Sequence, residues 1–505
     1  MPPRAPSRRL PRIVCLALAL AVVVGAATVG APSSDARPQD AASVARPRWT
    51  YRVEVASDLA TVNVRWCLTG FVPRRVWLAD VLTLEALTLG PSTGGTLVRD
   101  PNDPPILWAQ GVEGDACFTY TLDVAKLVAQ RAARRIGRAL VLRMGAFLLR
   151  AGVLPDDLDA TIELVAPAGV GVATPWDAVG PTTYRIDPST WEFQGWVVFG
   201  AFERRARTIA GCATEILSFD GTLVCSEPGV DRWIAEAMEA DALLFGGRFP
   251  RARLLVGIEP VRASRDPVPF GSAWSGGGPH AFLQVAANCQ DADFGDDWTA
   301  THELLHAALP HIKIEDAWCG EGFVTYYQEV LRARAGVQSP AAAWQAIHEG
   351  FGRGRRSASR SSVADDSLHM HERHEYFRVY WAGAALALLL DVEARRASGG
   401  RVSLDDAMRA LVTHPAAGRR SITGREVVAE LARRVPGARL QAIADGVLAG
   451  AAFPDLAATY RDLGLVGVDG KVTHGDGPHA ALRDAIMAGR TPGGPAGSGA
   501  PPDAR

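Results

Sequence analysis

The residues best suited to catalysis lie between Thr301 and Tyr327, where histidines and glutamates are regularly spaced. His302 and His306 are four positions apart, so on an α-helix their side chains project from one face, separated by about 40 degrees around the axis. This spacing lets both imidazoles bind one tetrahedral zinc ion, and it places Glu303 beside the metal without making it a ligand. Glu321, in the following segment, can supply a third ligand and leave the fourth position to water, which is typical of a catalytic zinc site.

The alternative interpretation is an amphipathic helix with histidines on its surface. The residues after Glu303 are apolar nearly all round such a helix: Leu304, Leu305, Ala307, Ala308 and Leu309. Burying two histidines and a glutamate among them costs free energy unless they meet partners or a metal. The sequence therefore predicts one Zn²⁺ per chain, bound by His302, His306 and Glu321.

Three longer segments extend this pattern: HELLH, WCGEGFVTYYQEVLRARAG and VYWAGAALALLLDVEARRASGGRVSLDDAMRAL. Together they resemble the glycyl aminopeptidase-like family of zinc metallopeptidases, which belongs to the gluzincin clan and has a thermolysin-like catalytic core. More distantly they resemble aminopeptidase N. The resemblance implies that Glu303 is the general base and that Tyr380, in YWAGA, hydrogen-bonds the developing oxyanion. A buried core aromatic is the alternative for Tyr380.

The family's glycine-rich edge strand usually carries a glutamate that binds the free α-amine of the substrate, in a pattern like GGLEH. The counterpart here is GGGPH, Gly276 to His280, with Pro279 in place of the glutamate. We expect substrate contacts at Gly277, Gly278 and His280, and the choice between exopeptidase and endopeptidase action stays open.

The function predicted from these residues is that of an exported, zinc-dependent metallopeptidase. It would hydrolyse peptide bonds by a zinc-activated water with Glu303 as general base. The alternatives are a catalytically degenerate zinc-binding or scaffolding protein on the same fold, and an esterase. His369, His371 and His374 could form a second metal cluster or line the substrate pocket, and Asp316 could orient a zinc-bound histidine.

The hydrophobic periodicity predicts an α+β multidomain protein. Four segments read as strands, TYRVEVA, TVNVRWCLTG, CFTYTLDV and ATIELVAP, whereas QRAARRIGR reads as a solvated helix or loop. Helices are predicted at Trp298 to Leu309, at Glu321 to Ala335 and at Tyr376 to Arg396, with a mobile loop at Gly352 to Asp366. The expected order is a β-sandwich-like N-terminal domain at 45–200, a thermolysin-like metallopeptidase catalytic domain at 201–400, a helical C-terminal domain at 401–488 and a disordered tail at 489–505.

The N-terminal segment and the cysteines predict export. Residues 1–36 combine early arginines, an apolar run and small residues, which indicates a signal peptide or, if it is not cleaved, an N-terminal anchor. The chain is therefore expected to be secreted or periplasmic. Neighbourhood along the sequence favours the disulfides Cys67 with Cys117, Cys212 with Cys225, and Cys289 with Cys319, and the alternative is six buried free thiols.

The charge balance narrows the class of partner. With 53 basic and 55 acidic side chains, the chain has no electrostatic footprint for nucleic acid. The expected partner is a peptide or unfolded protein substrate, and membrane contact is expected only through an uncleaved N-terminal segment. Many relatives end in a PDZ domain, and we expect none after the helical region of this chain.

Overall fold

The computed structural model describes residues 46–488, except 79–80, 104–105, 194, 358 and 469. The signal peptide or anchor predicted for residues 1–36 and the tail predicted for 489–505 lie outside the described residues. Within the described part of the chain, no helix is both long enough and apolar enough to cross a membrane.

The first part of the described chain consists mainly of short strands. These strands are β1 (Arg48–Val55), β2 (Thr61–Thr69), β3 (Arg75–Leu78), β4 (Leu87–Thr93), β5 (Thr96–Arg99), β6 (Leu107–Gln110), β7 (Ala116–Asp123), β8 (Ala133–Ile136), β9 (Ala139–Arg143), β10 (Leu149–Arg150), β11 (Asp159–Val165), β12 (Gly171–Ala173), β13 (Thr183–Arg185) and β14 (Trp196–Gly200). The helices between them are α1 (Val124–Ala129), α2 (Met144–Phe147) and α3 (Pro188–Phe193), with a 3-10 turn at Val81–Ala86.

Among the described residues, these strands form a six-stranded sheet in the order β13-β11-β1-β2-β7-β4 and two four-stranded sheets, β10-β3-β6-β5 and β12-β14-β9-β8. Alternate residues of β1 and β2 are buried, as expected for strands with one face on a core. Cys67 and Cys117 are paired neighbours on β2 and β7 and form a disulfide. The strands predicted here are confirmed, but QRAARRIGR is neither a helix nor a loop throughout, because β8 occupies its centre and pairs with β9.

The second part opens with a five-stranded sheet. Its strands are β15 (Glu203–Ile209), β16 (Cys212–Ser218), β17 (Arg253–Val261), β18 (Phe270–Trp274) and β19 (His280–Ala286), in the order β15-β16-β17-β19-β18. The inner strands are parallel, whereas β15 and β18 run antiparallel to their neighbours at the two edges. Helix α4 (Glu227–Leu244) connects β16 to β17; Ser226 caps it and a proline lies in its first turn.

Helices make up most of the remainder. They are α5 (Thr299–Ala308), α6 (Ala317–Arg334), α7 (Pro340–Arg356), α8 (Val363–Leu368), α9 (Met370–Arg373), α10 (Tyr376–Ala397), α11 (Leu404–Val412), α12 (Gly424–Arg434), α13 (Leu440–Ala449), α14 (Ala457–Leu463) and α15 (Ala480–Ala488). The hairpin β20 (Leu465–Val468) and β21 (Lys471–His474) precedes α15.

Two of the predicted helical boundaries need correction. Helix α6 begins at Ala317, so Glu321 lies one turn inside it and not at its start. The loop predicted at Gly352 to Asp366 is largely helical, since its first residues finish α7 and its last residues open α8. Ser362 caps α8, so this serine marks the start of a helix and not a loop.

Two large cores hold the described structure together. One extends from Trp49 to Phe199 and the other from Ile209 to Met487, and a smaller cluster that includes Val198 and Phe282 joins strands of both parts. The predicted α+β class is confirmed. The domain boundaries stay predictions, and the larger core is continuous across residue 400.

Only one of the three predicted disulfides forms. Cys212, Cys225, Cys289 and Cys319 are buried free thiols, so the pairs Cys212 with Cys225 and Cys289 with Cys319 are wrong. The reason is topological: the Val224 backbone N–H donates to the Ala287 carbonyl, at 3.1 Å, which brings Cys225 beside Cys289. The thiols of these two residues are hydrogen-bonded to each other.

Candidate metal centre and cleft

Helix α5 carries the first three residues of the candidate site. The Asp297 carboxylate accepts hydrogen bonds from the backbone N–H groups of Thr299 and Ala300, at 3.1 and 3.0 Å. These two donors of the first helical turn have no partner within the helix, so Asp297 supplies one. The helix ends before Pro310, which cannot continue it. His302 is buried within this helix, whereas Glu303 and His306 are partly exposed.

Three nitrogen and oxygen atoms converge between α5 and α6. The Nε2 atoms of His302 and His306 are 3.2 Å apart, and Glu321 Oε2 lies 3.3 Å from the first and 3.2 Å from the second. Tetrahedral coordination with bonds of about 2.0–2.1 Å requires about 3.3 Å between donor atoms, so the triangle has the size that zinc needs. Among the described residues, this is the one group of three or more His, Cys, Asp or Glu side chains whose ligand atoms converge closely enough to hold a metal ion.

The electrostatics of Glu321 also suit a metal ligand. Burial opposes ionisation of its carboxyl, but the charges and hydrogen bonds of His306 and His302 outweigh burial and hold its pKa well below the usual range. Glu321 is therefore a carboxylate at neutral pH, which is the form that binds a cation.

Gln328 orients His302 through Nδ1, the ring nitrogen that does not face the other metal-binding atoms. Its side-chain Oε1 accepts a hydrogen bond from His302 Nδ1 at 2.8 Å, which leaves Nε2 of the imidazole free for the metal. Asp316, which the sequence offers for this role, instead accepts from Trp318 Nε1 and from the Gly424 backbone N–H, both at 3.0 Å. Asp316 therefore ties the start of α6 to α12 and contacts neither histidine of the triangle.

Glu303 lies between the metal centre and strand β18. A Cβ atom placed on Gly271 would come within 2.4 Å of Glu303 Cγ, so only glycine at that position lets the carboxylate lie this close to the strand. Burial, together with the nearby charges of Glu321 and Asp297, raises the pKa of Glu303 to about 7, although the charge of His302 lowers it. Such a pKa allows the group to take up and release a proton near neutrality.

Tyr380 reaches the same place from α10. Its ring stacks on His302, with centroids 6.1 Å apart, and its hydroxyl contacts the Glu321 carboxylate. Burial and that carboxylate raise its pKa well above the usual range, so the hydroxyl remains a hydrogen-bond donor. Helices α6 and α10 can approach this closely because Gly322 and Gly383 face each other, where a Cβ on Gly322 would lie 2.4 Å from Gly383 Cα.

These groups open into a cleft of about 1210 Å³. Strand β18 forms one wall, the segment after α5 forms another, and α6, α7 and the start of α10 close the far side. Glu303, His306, Glu321 and Tyr380 all line it. The arrangement places a metal-binding triangle, a proton acceptor and a neutral hydrogen-bond donor around one space large enough for a peptide segment.

The predicted substrate residues Gly277, Gly278 and His280 lie outside this cleft, which corrects their assignment. The Gly277 carbonyl accepts from Trp176 Nε1 at 2.8 Å, and its N–H donates to Ser189 Oγ at 3.1 Å, so the turn packs on the first part of the chain. His280 is only 3% exposed, its Nδ1 is 2.9 Å from the Gly278 carbonyl, and burial lowers its pKa to about 4. The glycines allow close packing, and the strand before the turn, β18, is the one that borders the cleft.

The remaining histidines do not form a second metal group among the described residues. His369 pairs with Asp365 at 3.2 Å, and His374 adopts a left-handed backbone conformation at the end of α9. His371 lines the cleft, with its Nδ1 3.4 Å from the Tyr376 hydroxyl. The sequence left two roles open for these three histidines, a second metal cluster or lining of the substrate pocket, and His371 has the second role.

Comparisons with known proteins give a match in structure but not in sequence. Neither the protein-family models nor the curated protein sequences match the chain. An aminopeptidase N family protein from Idiomarina loihiensis superimposes with a TM-score of 0.64 at 13% identity, covering 83% of this chain and 78% of that one.

An M1 zinc metallopeptidase from Deinococcus radiodurans superimposes with a TM-score of 0.52 at 16% identity, covering 81% of this chain and 94% of that one. A mutant of the Deinococcus enzyme, solved with a Tyr-Ser-Ala substrate, gives a TM-score of 0.51 at the same identity and the same coverage of both chains. The predicted resemblance to gluzincin-type peptidases is thus confirmed at the level of the fold.

Proposed function

We propose that the protein is a zinc-dependent metallopeptidase. The observation that carries the proposal is the triangle of His302, His306 and Glu321 donor atoms, with sides of 3.2 to 3.3 Å, beside Glu303 and Tyr380 in one cleft. A scaffolding protein would need neither Glu303 nor Tyr380 beside its metal site. The shared fold with M1 zinc metallopeptidases, one of which was solved with a tripeptide, supports a peptide substrate.

The chain's own residues divide the work of peptide hydrolysis. A zinc ion bound by the three donors would supply Lewis-acid activation of a water molecule and of the substrate carbonyl. The Glu303 carboxylate accepts a proton from the water molecule as the water oxygen attacks the peptide carbonyl carbon. Glu303 then returns that proton to the leaving amine. The Tyr380 hydroxyl donates a hydrogen bond to the carbonyl oxygen as negative charge develops there.

The decisive variant is Glu303→Gln, which keeps the size of the side chain and removes the proton acceptor. We expect one zinc per chain in both wild type and variant, and a fall in cleavage of a labelled, unfolded casein of about 10²-fold or more in the variant. Zinc content is measured by plasma emission spectroscopy on the same samples. Unchanged cleavage in Glu303→Gln would overturn the mechanism, and zinc-free wild-type protein would overturn the site.

We also propose that the enzyme acts outside the cytosol. The N-terminal segment reads as a signal or anchor, and the Cys67–Cys117 disulfide is of a kind that persists in oxidising compartments. The remaining buried thiols do not oppose this, because a buried cysteine is unreactive in either compartment.

A further inference from the structure

The edge strand of the cleft carries no charge. β18 reads Phe-Gly-Ser-Ala-Trp and has a neighbour, β19, on one side only among the described strands. An extended peptide that adds to the free side in the more stable antiparallel sense runs opposite to β18. Its N-terminal part then lies beside Trp274 and its C-terminal part beside Phe270.

Trp274 belongs to a fixed aromatic wall at the first of these ends. The indole N–H of Trp274 donates to the Phe193 carbonyl at 3.0 Å, and its ring lies 5.2 Å from that of His311. His311 in turn contacts the Phe193 ring at 5.3 Å and is held by Ser421 at 3.0 Å. Trp274 nevertheless remains 39% exposed, so the wall presents a broad apolar surface to the cleft.

Aromatic side chains mark the whole mouth of the cleft. Within the described chain, every large aromatic residue that is exposed lines it: Phe270, Trp274, Trp298, Tyr376 and Phe377. Exposed aromatic surface of this kind costs free energy in water and is characteristic of a binding surface. The concentration at one place favours a substrate with bulky apolar side chains.

The carboxylates of the cleft lie away from the Trp274 end. Glu303 and Glu321 belong to the metal centre, and Glu329 is buried and accepts hydrogen bonds from the side chains of Gln328 and Gln338, both at 2.9 Å. Two further carboxylates of the lining, Asp296 and Glu349, are exposed.

Asp296 lies at the opposite end of the strand. It lies three residues before α5, and the Thr299 hydroxyl at the start of α5 contacts the Val268 carbonyl, two residues before β18. Glu349 is on α7, across the cleft from the strand.

The Trp274 end carries a cation instead. Lys313, two residues after His311, is exposed and lines the cleft, whereas Glu315, whose charge acts on His311, is not part of the lining. A substrate α-ammonium group placed here would meet a like charge and no carboxylate of the lining at this end of the cleft, and both effects disfavour binding.

We propose that the cleft takes an internal or N-terminally blocked peptide segment and that Trp274 selects a bulky apolar side chain on the N-terminal side of the scissile bond. This inference rests on the proposed peptidase function and makes the protein an endopeptidase. It names Trp274 as the residue that determines specificity.

The test uses internally quenched peptides of one sequence, with either a free or an acetylated N-terminus and with either Phe or Ala before the intended scissile bond. We expect wild type to cleave acetylated peptide at least as fast as free peptide, and to prefer Phe over Ala by about tenfold or more in kcat/KM. Release of single residues from free peptides alone overturns the inference but leaves the metallopeptidase proposal intact. No cleavage of any peptide by protein that carries one zinc overturns both.

Variants at the two ends of β18 separate specificity from folding. Trp274→Ala should lose most of the Phe-over-Ala ratio and Trp274→Phe should keep it, whereas Phe270→Ala, the control at the other end, should also keep it. Trp274→Glu places a carboxylate at this end of the cleft and should shift the preference towards the free amine by about tenfold. A Phe-over-Ala ratio that is unchanged in Trp274→Ala, with zinc bound, overturns the role of Trp274.

Discussion

At the scale of single residues, Gln328 is the side chain most easily overlooked in the sequence. It lies within the segment WCGEGFVTYYQEVLRARAG, but the resemblance assigns it no role, and its only signal is its position seven residues after Glu321, two helical turns along the same face of α6. Its amide accepts the Nδ1 proton of His302 and so fixes the tautomer that presents Nε2 to a metal. The orientation of one zinc ligand therefore depends on a residue that does not itself touch the metal.

Replacing Gln328 should weaken metal binding more than it weakens the fold. Gln328→Leu removes the acceptor and is expected to lower zinc affinity by about 10- to 100-fold, as loss of such partners usually does. Gln328→Glu keeps an acceptor at the same reach and should retain most of the affinity. Competition with a chromogenic chelator measures both variants, and wild-type affinity in Gln328→Leu would contradict the assigned role.

At the scale of elements, the crossing of α6 and α10 sets the distance between Tyr380 and the metal centre. A Cβ on Gly383 would lie 2.1 Å from the Trp318 carbonyl oxygen, so any larger residue must push the helices apart. Tyr380 lies on α10 three residues, almost one turn, before Gly383. Any displacement of α10 at Gly383 therefore also displaces Tyr380. The glutamate ligand, by contrast, is held by the two histidines of α5.

Gly383→Ala should therefore lower kcat and leave the zinc in place. A displacement of about 1 Å in a catalytic group can cost about 10²-fold in rate, so we expect a loss of that order at constant zinc content. Gly446→Ala is the matched control, because Gly446 also lies in a helix, α13, and a Cβ there meets nothing within 4 Å. Steady-state kinetics with zinc analysis test the pair, and equal kcat in both variants would refute the role of the crossing.

The sequence predicts these elements unevenly, for physical reasons. Helices α5 and α10 follow from clearly apolar segments, with Pro310 just after the first and Gly399 just after the second. The start of α6 is missed because Ala317 to Gly320 has neither a capping side chain nor a helical period. Strand β18 is not predicted because its five mostly small residues do not alternate between polar and apolar types. The sequence pattern therefore assigns substrate contacts to the glycine-rich turn after the strand and not to Trp274.

At the scale of the whole molecule, the site depends on contacts between the two cores that no local pattern encodes. The turn after β18 is held by Trp176 and Ser189, and Trp274 itself is held by Phe193, all from the first part of the chain. Which cysteines pair is likewise decided by this topology and not by sequence distance. The first core therefore positions the specificity wall, and the second core carries the metal-binding triangle.

Because the disulfide and the metal ligands belong to different parts of the chain, loss of the disulfide should lower stability without releasing zinc. The Cys67–Cys117 bond closes a loop across β2 and β7, on the partly exposed face of these strands opposite the residues of the first core, and removing such a bond typically costs about 2–5 kcal/mol. Cys67→Ser with Cys117→Ser should lower the thermal unfolding midpoint, while zinc stays at one per chain below that midpoint, because all three ligands belong to the second part. Calorimetry with zinc analysis measures both quantities, and zinc loss well below the unfolding transition would mean that the metal centre depends on the first core directly.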